Sequence, residues 1–168
     1  MLPLSKLGQS KLGQSKLVLW GCELWDSARR RFIATSHLND LPLGKRGEHF
    51  AMQLLKTDGY RILAHGWQHR TGELDLVVRR GSTIAFVEVK TRAVPWAFAE
   101  RDGPIDFSGP LAAVDARKQR QVARAAAEWW HRHAIDSVSL RFDVVAVLID
   151  STGQWQGRHL PAAFESPL

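Results

Sequence analysis

The chain has 168 residues, of which 45% are hydrophobic and 24% charged, and 23 Lys and Arg against 17 Asp and Glu give a formal net charge of +6. This composition is that of an ordinary globular protein and excludes collagen-like and wholly disordered classes, while Cys22, as the sole cysteine, excludes a disulfide-stapled one. The longest apolar run, residues 144–149, is far shorter than the roughly 20 residues that span a bilayer, so we expect a cytoplasmic protein.

Residues 1–40 are predicted to form an extension outside the folded core. Within them, residues 5–17 repeat Ser-Lys-Leu-Gly-Gln with a five-residue period, which fits neither the helical nor the strand period. We therefore expect a largely disordered, low-complexity extension over residues 1–40 and one folded domain over residues 41–168.

The first two predicted elements of the domain are a helix and a short strand. The helix begins near Gly44, because apolar residues recur at helical spacing from there to a stop at Gly59. Residues 60–64 have the pattern of a strand. Gly66, with the tryptophan that follows it, predicts a turn that ends this strand.

A β-hairpin is predicted next. Residues 73–78 and 83–91 alternate between apolar and polar side chains, and Arg80-Gly81 between them supplies a tight turn. Residues 93–113 are rich in proline and glycine and predict a long loop. Long loops in compact domains are often functional.

The last predicted elements are a helix and a buried strand. Asp115 is placed to cap a helix that runs to about His133 with an apolar inner side. Residues 141–149 form a strongly apolar strand buried on both faces, and a short strand or loop follows around Trp155. The order α-β-β-β-α-β predicts an α/β fold with a mixed central β-sheet flanked by helices.

Two acids and a lysine are predicted to share one face of the hairpin. Because side chains alternate along a strand, Glu88 and Lys90 point the same way as Phe86. With a two-residue turn at Arg80-Gly81, Asp75 lies opposite Phe86 and diagonal to Glu88, roughly 7–8 Å away at the backbone. Two carboxylates within reach of one ion are typical of a Mg²⁺ or Mn²⁺ site, and a nearby Lys90 ammonium suits phosphodiester hydrolysis.

The same residues have structural alternatives. A half-exposed hairpin often displays charged residues such as Glu88 and Lys90 on its wet face, although Phe86 on that face argues against solvation. Glu48 lies near the apolar stripe of the first helix and is a third acid for the cluster. An acid in the first turn of a helix is also favourable at the positive end of the helix dipole.

Five motifs follow one another along residues 44–150: Gly44-Lys45-Arg46-Gly47-Glu48 with Ala51, Gly72-Glu73-Leu74-Asp75-Leu76, Phe86-Val87-Glu88-Val89-Lys90-Thr91-Arg92, Lys118-Gln119 and Arg141-Phe142-Asp143. In this order they resemble the bacterial YraN family of endonuclease-like proteins. That family belongs to the restriction-endonuclease-like PD-(D/E)xK superfamily and is similar to the archaeal Holliday-junction resolvases. The resemblance extends over nearly the whole predicted domain.

The resemblance implies a restriction-endonuclease-like fold and a nucleic-acid substrate. It also implies functional residues by their place in the motifs. Asp75 and Glu88 would be metal ligands, Lys90 the catalytic lysine, and Glu48 an accessory catalytic acid.

The sequence departs from the family's pattern in three places. Leu74 stands where the superfamily's name has proline. Gly66-Trp67-Gln68 replaces the family's asparagine, aromatic residue and arginine, which puts a substrate contact in doubt. The loop at residues 93–113 is longer than usual.

Cations on the second predicted helix form a candidate nucleic-acid surface. Arg117, Arg120 and Arg124 recur at i, i+3 and i+7 and make a basic stripe that suits a phosphate backbone, although an ordinary solvated helix face has the same pattern. Lys118 begins this helix and is our candidate beside the scissile phosphate, and Arg92, just after the catalytic strand, is the next candidate. An exposed tryptophan on the helix would also suit a homodimer, which the sequence leaves open.

These features support three hypotheses. The leading one is a metal-dependent nuclease that hydrolyses phosphodiester bonds of DNA, branched or damaged DNA included, with Mg²⁺ or Mn²⁺ as cofactor. The alternative is a nucleic-acid-binding module of the same fold that does not cut. A third is an interaction domain in which the acids are surface charge. No glycine-rich GxxxxGK[ST] loop supports nucleotide hydrolysis.

Overall fold

The computed structural model of the protein describes residues 40–133, 135 and 138–166, so residues 1–39 of the predicted extension lie outside the described residues. A short 3₁₀ helix at Phe98–Glu100 lies in the long loop. The other elements are α1 (Leu43–Thr57), β1 (Arg61–His69), β2 (Gly72–Arg80), β3 (Thr83–Ala93), α2 (Ser108–Ala112), α3 (Ala116–His133), β4 (Ser139–Ile149) and β5 (Trp155–Phe164).

One mixed sheet with strand order β1-β2-β3-β4-β5 organises the fold. The β3–β4 pair is parallel and the other three pairs are antiparallel. A parallel pair needs a long crossover, and the chain supplies it through α2 and α3. The structure therefore confirms the predicted α/β fold with a mixed sheet flanked by helices. No helix in the described part of the chain is long and apolar enough to cross a membrane.

The two faces of the sheet bury separate apolar clusters. Val87 and Val89 of β3 pack with α1 on one face, whereas Phe86 packs with Trp129 of α3 on the other. This alternation confirms the prediction that Phe86 shares its face with Glu88. The α3 helix begins where predicted, because the Asp115 carboxylate accepts a 2.8 Å hydrogen bond from the backbone N–H of Lys118.

The predicted register of the hairpin is wrong by two residues. Arg80 pairs with Thr83, so the turn is Gly81-Ser82 and not Arg80-Gly81, and Val77 lies opposite Phe86. The reason is that the first central residue of this turn has a positive φ of 59°, which glycine adopts freely and arginine does not.

The turn predicted at Gly66 is also wrong. Gly66 takes a φ of 59° inside β1, and the strand continues to His69, which pairs with Gly72. Pairing with β2 on both sides of Gly66 keeps β1 extended through this residue. At the other edge of the sheet, the tail around Trp155 forms a full strand, β5, paired antiparallel to β4.

Candidate active site

Glu88 is the centre of the candidate site. Glu88 is only 1% exposed, although the burial of a carboxylate costs free energy. The Nζ atoms of Lys90 and Lys118 lie 2.8 Å and 3.0 Å from the same oxygen, Oε1. The other oxygen, Oε2, is buried and has no hydrogen-bond partner among the described residues. One side of the carboxylate is thus neutralised, and the other side is available to a further ligand.

Asp75 is the second acid of the site. The β2–β3 ladder ends at the pair Leu76–Val87, so Asp75 lies one residue beyond it, level with Glu88. Asp75 is 9% exposed, and its Oδ2 accepts a 2.8 Å hydrogen bond from the backbone N–H of Val89. Burial, together with the nearby charge of Glu88, raises the pKa of Asp75 to about 7. The two carboxylates are therefore close neighbours in a poorly solvated site.

The N-terminal end of α1 brings a third acid to the site. Glu48 is buried, forms an ion pair with Lys45 at 2.9 Å and lies within hydrogen-bond distance, 3.1 Å, of the His65 imidazole of β1. Its charge is among those that raise the pKa of Asp75, which places it in the same electrostatic environment. This close approach depends on Gly47, because a Cβ there would collide with the side chain of Thr91 at the end of β3.

Three residues of this cluster were not predicted as site residues. The Lys45 ammonium bridges Glu48 and Glu73, with 3.3 Å to the Glu73 carboxylate, and these contacts raise the pKa of Lys45, the hydrogen bond to Glu48 most strongly. His65 faces Glu48 only because β1 pairs with β2 up to the site. Lys45 and Glu73 lie within the first and second of the five sequence motifs, and this position could have identified them as site residues. His65 lies in no motif, and no neighbouring residue indicates a role for it.

The residues present fit a hard divalent cation held jointly with a substrate. No group of three or more His, Cys, Asp or Glu side chains in the described residues is arranged to hold a metal ion by itself. Mg²⁺, however, is usually bound through one or two carboxylates, with water and substrate phosphate completing its shell. Asp75 and Glu88 provide two such carboxylates, and the partnerless Glu88 Oε2 is the oxygen that a cation would satisfy.

The predicted basic residues divide into two groups. Lys118 turns inward to Glu88, whereas Arg117, Arg120 and Arg124 are exposed on α3 and make no ion pair with any described residue. Arg92 is exposed past the acidic cluster, and its guanidinium lies against α2, where a Cβ on Gly109 would overlap it. The structure thus brings Lys118 into the acidic cluster and leaves the three arginines open to solvent.

Comparisons with known proteins point to one family. Residues 47–147 match the family described as "Uncharacterised protein family UPF0102". A UPF0102 protein of Geobacter sulfurreducens is 39% identical over 130 residues, which cover 77% of this chain and 93% of the relative. UPF0102 proteins of Methylorubrum extorquens and Pelobacter propionicus are 44% and 37% identical, over 73% and 79% of this chain and 84% and 89% of the relatives.

Proposed function

The chain belongs to the UPF0102 family, and from this premise we propose that it is a metal-dependent nuclease that hydrolyses phosphodiester bonds of DNA, branched and damaged DNA included. Family membership confirms the resemblance seen in the motifs. The observation that supports the activity is the pair of buried acids, Asp75 and Glu88, with one Glu88 oxygen left without a partner.

Asp75 and Glu88 are the residues that would hold Mg²⁺ or Mn²⁺. Such an ion, when bound, polarises the phosphate and acidifies a water molecule. The Lys90 ammonium, 2.8 Å from Glu88, lies where it can orient the attacking water and stabilise the charge that develops on the phosphate. Glu48 acts as the accessory acid, held in place by Lys45 and His65.

The exposed cations of α3 provide the surface for nucleic acid. Arg117, Arg120 and Arg124 have no competing ion pair with described residues and therefore bind phosphates without first breaking internal contacts. Arg92, near the end of β3, adds a further exposed cation. Binding along α3 presents a phosphodiester to the start of the helix, where Lys118 contacts the acidic cluster.

The test is cleavage of labelled linear, nicked, flap and four-way DNA with and without Mn²⁺. We expect metal-dependent cleavage, and we expect Asp75→Ala, Glu88→Ala and Lys90→Ala each to lower the rate at least about 100-fold. Glu165→Gln, which removes an exposed acid past the end of β5, is the control and should cleave at the normal rate. Cleavage at an unchanged rate in all three site variants would exclude this site.

A nucleic-acid-binding module that does not cut is the second candidate. The observation that favours it is that Lys90 and Lys118 already balance the charge of Glu88 without any metal ion. This candidate predicts salt-sensitive retention of DNA that neither EDTA nor Glu88→Gln changes. Metal-dependent nicking by the protein would eliminate it.

A further inference from the structure

Two ammonium groups share a single carboxylate oxygen at the centre of the site. The Nζ atoms of Lys90 and Lys118 both lie within 3.0 Å of Glu88 Oε1, and the Glu88 side chain is 2% exposed. Two unit positive charges so close to one anion repel each other and also repel any incoming cation. The two ammonium charges therefore weaken the binding of a divalent ion at this site, and the departure of one of them would strengthen it.

Lys118 is the ammonium on the helix that carries the exposed arginines. Lys90 lies two residues from Glu88 on β3, and with a side chain that is 27% exposed its stem also has room to rotate. Lys118 reaches Glu88 from the first turn of a different element, α3, on a flexible four-carbon stem whose side chain is 23% exposed. Rotation about that stem moves the ammonium without any change in the sheet.

A second partner for Lys118 would arrive with the nucleic acid. Arg117 precedes it in the first turn of α3 and is exposed without an ion pair to described residues, so a phosphate bound at this turn comes within reach of the Lys118 stem. A phosphate oxygen is as good a partner for an ammonium as the Glu88 oxygen that it leaves.

We propose that Lys118 is a displaceable positioning residue, which occupies Glu88 in the free protein and transfers to a phosphate of bound nucleic acid, so that cation binding and nucleic-acid binding strengthen each other. This inference rests on the proposed function, because it concerns the same acidic cluster. The coupling is reciprocal by thermodynamic necessity: nucleic acid raises the affinity for the cation by the factor by which the cation raises the affinity for nucleic acid.

The experiment measures Mn²⁺ binding to the full chain by calorimetry, with and without a duplex of slowly cleaved phosphorothioate linkages. Without the duplex, we expect Lys118→Gln to bind Mn²⁺ about tenfold more tightly than the unaltered chain, because the competing charge is gone. With the duplex, the unaltered chain should tighten its Mn²⁺ binding by a similar factor, and Lys118→Gln should not. Lys56→Gln removes the same charge at the exposed end of α1 and should change neither affinity by more than about twofold.

Each outcome separates the two claims. Equal or weaker Mn²⁺ binding by Lys118→Gln, with an unaltered chain that binds the ion, overturns the role of Lys118 and leaves the metal site standing. Absence of Mn²⁺ binding by every variant, with or without the duplex, overturns the proposed function as well. Lys118→Met, which keeps the apolar stem, repeats the measurement, and far-UV circular dichroism verifies that each variant is folded.

Discussion

At the scale of single residues, Asp75 shows how the end of a strand pairing holds a buried acid. The pairing of β2 with β3 ends at Leu76, one residue after Asp75 in the chain. The Asp75 carboxylate therefore accepts the hydrogen bond from the backbone N–H of Val89 in place of a strand partner. Burial is the main reason that its pKa is raised to about 7, and the charge of Glu88 adds to it. A cation between the two acids would relieve that repulsion.

The raised pKa makes stability depend on pH. Since the folded protein holds the Asp75 proton more tightly than the unfolded chain does, the stabilisation is complete below about pH 4 and is lost as the pH rises through 7. We expect Asp75→Asn to remove this dependence and to be more stable than the unaltered chain at pH 8 by about 2–4 kcal/mol. Urea unfolding at pH 5 and pH 8 measures it.

The control for this prediction is Asp106→Asn. The pKa of Asp106 is lowered, chiefly by the backbone N–H of Ser108, and this carboxylate is on the surface. Asp106→Asn should leave the loss of stability between pH 5 and pH 8 as it is. If Asp75→Asn loses as much stability over this interval as the unaltered chain, Asp75 does not have the raised pKa.

Two glycines of α1 provide a second prediction at this scale. Gly47→Ala places a methyl group against Thr91, forces α1 away from β3 and is expected to cost about 1–3 kcal/mol of stability. Gly44→Ala is the matched change in the same helix, where no atom lies within 4 Å of the new Cβ. It should stabilise the protein by up to about 1 kcal/mol. Thermal unfolding compares them, and equal effects would contradict the close approach of Gly47 to Thr91.

At the scale of elements, a buried acid ties the end of the sheet together. Asp143 of β4 is fully buried and accepts hydrogen bonds from the Arg141 guanidinium, from His159 and from the backbone N–H of Ala162. Burial by itself would raise the pKa of Asp143, but these donors outweigh it, so its pKa is lowered. Arg141 also donates to the Tyr60 hydroxyl, which links β4 and β5 to the start of β1.

Removal of this charge should be strongly destabilising. Asp143→Asn leaves the Arg141 guanidinium without its carboxylate, and we expect a loss of about 3 kcal/mol in the free energy of unfolding. The double variant Asp143→Asn with Arg141→Met removes the unpaired cation and should recover part of that loss. Urea unfolding of the unaltered chain, Asp143→Asn, Arg141→Met and the double variant tests this, and a double variant as unstable as the sum of the two single changes would refute it.

At the scale of the whole molecule, exposed positive charge lies on the helix that contacts the acidic cluster. The net charge of +6 favours a polyanionic partner, and the exposed arginines of α3 are on the same helix as Lys118, which contacts Glu88. Counterion release predicts that each phosphate contact adds about 0.9 to the slope of log affinity against log salt on duplex DNA. The salt dependence of DNA binding therefore shows which positive charges contact phosphate, when variants that lose the same number of charges at different places are compared.

We expect the double change Arg120→Gln with Arg124→Gln to lower that slope by about 1.8, because two phosphate contacts are lost. The control is the double change Lys56→Gln with Arg61→Gln. It removes two positive charges from exposed positions at the C-terminal end of α1 and at the start of β1. It should leave the slope nearly as it was. Equal slopes for the two double variants, measured by DNA retention from 50 to 200 mM salt, would show that α3 is not the nucleic-acid surface.

The sequence by itself determined the elements whose cause is local. Alternation along residues 83–91 predicted that Glu88 and Lys90 share the face of Phe86, and the Asp115 cap predicted where α3 begins; both are confirmed. These two signals are the alternation of side chains along a strand and one capping hydrogen bond. Both depend only on residues that are close together in the chain. The motifs also identified the family, while the roles assigned to the site residues stay predictions.

Only the tertiary structure decided which charged groups meet. The contact of Lys118 with Glu88 depends on how α3 crosses the sheet. His65 reaches Glu48 through the pairing of β1 with β2 and the packing of α1 on them. Each of these contacts joins residues distant in sequence, and its geometry comes from packing between elements, which no local period records.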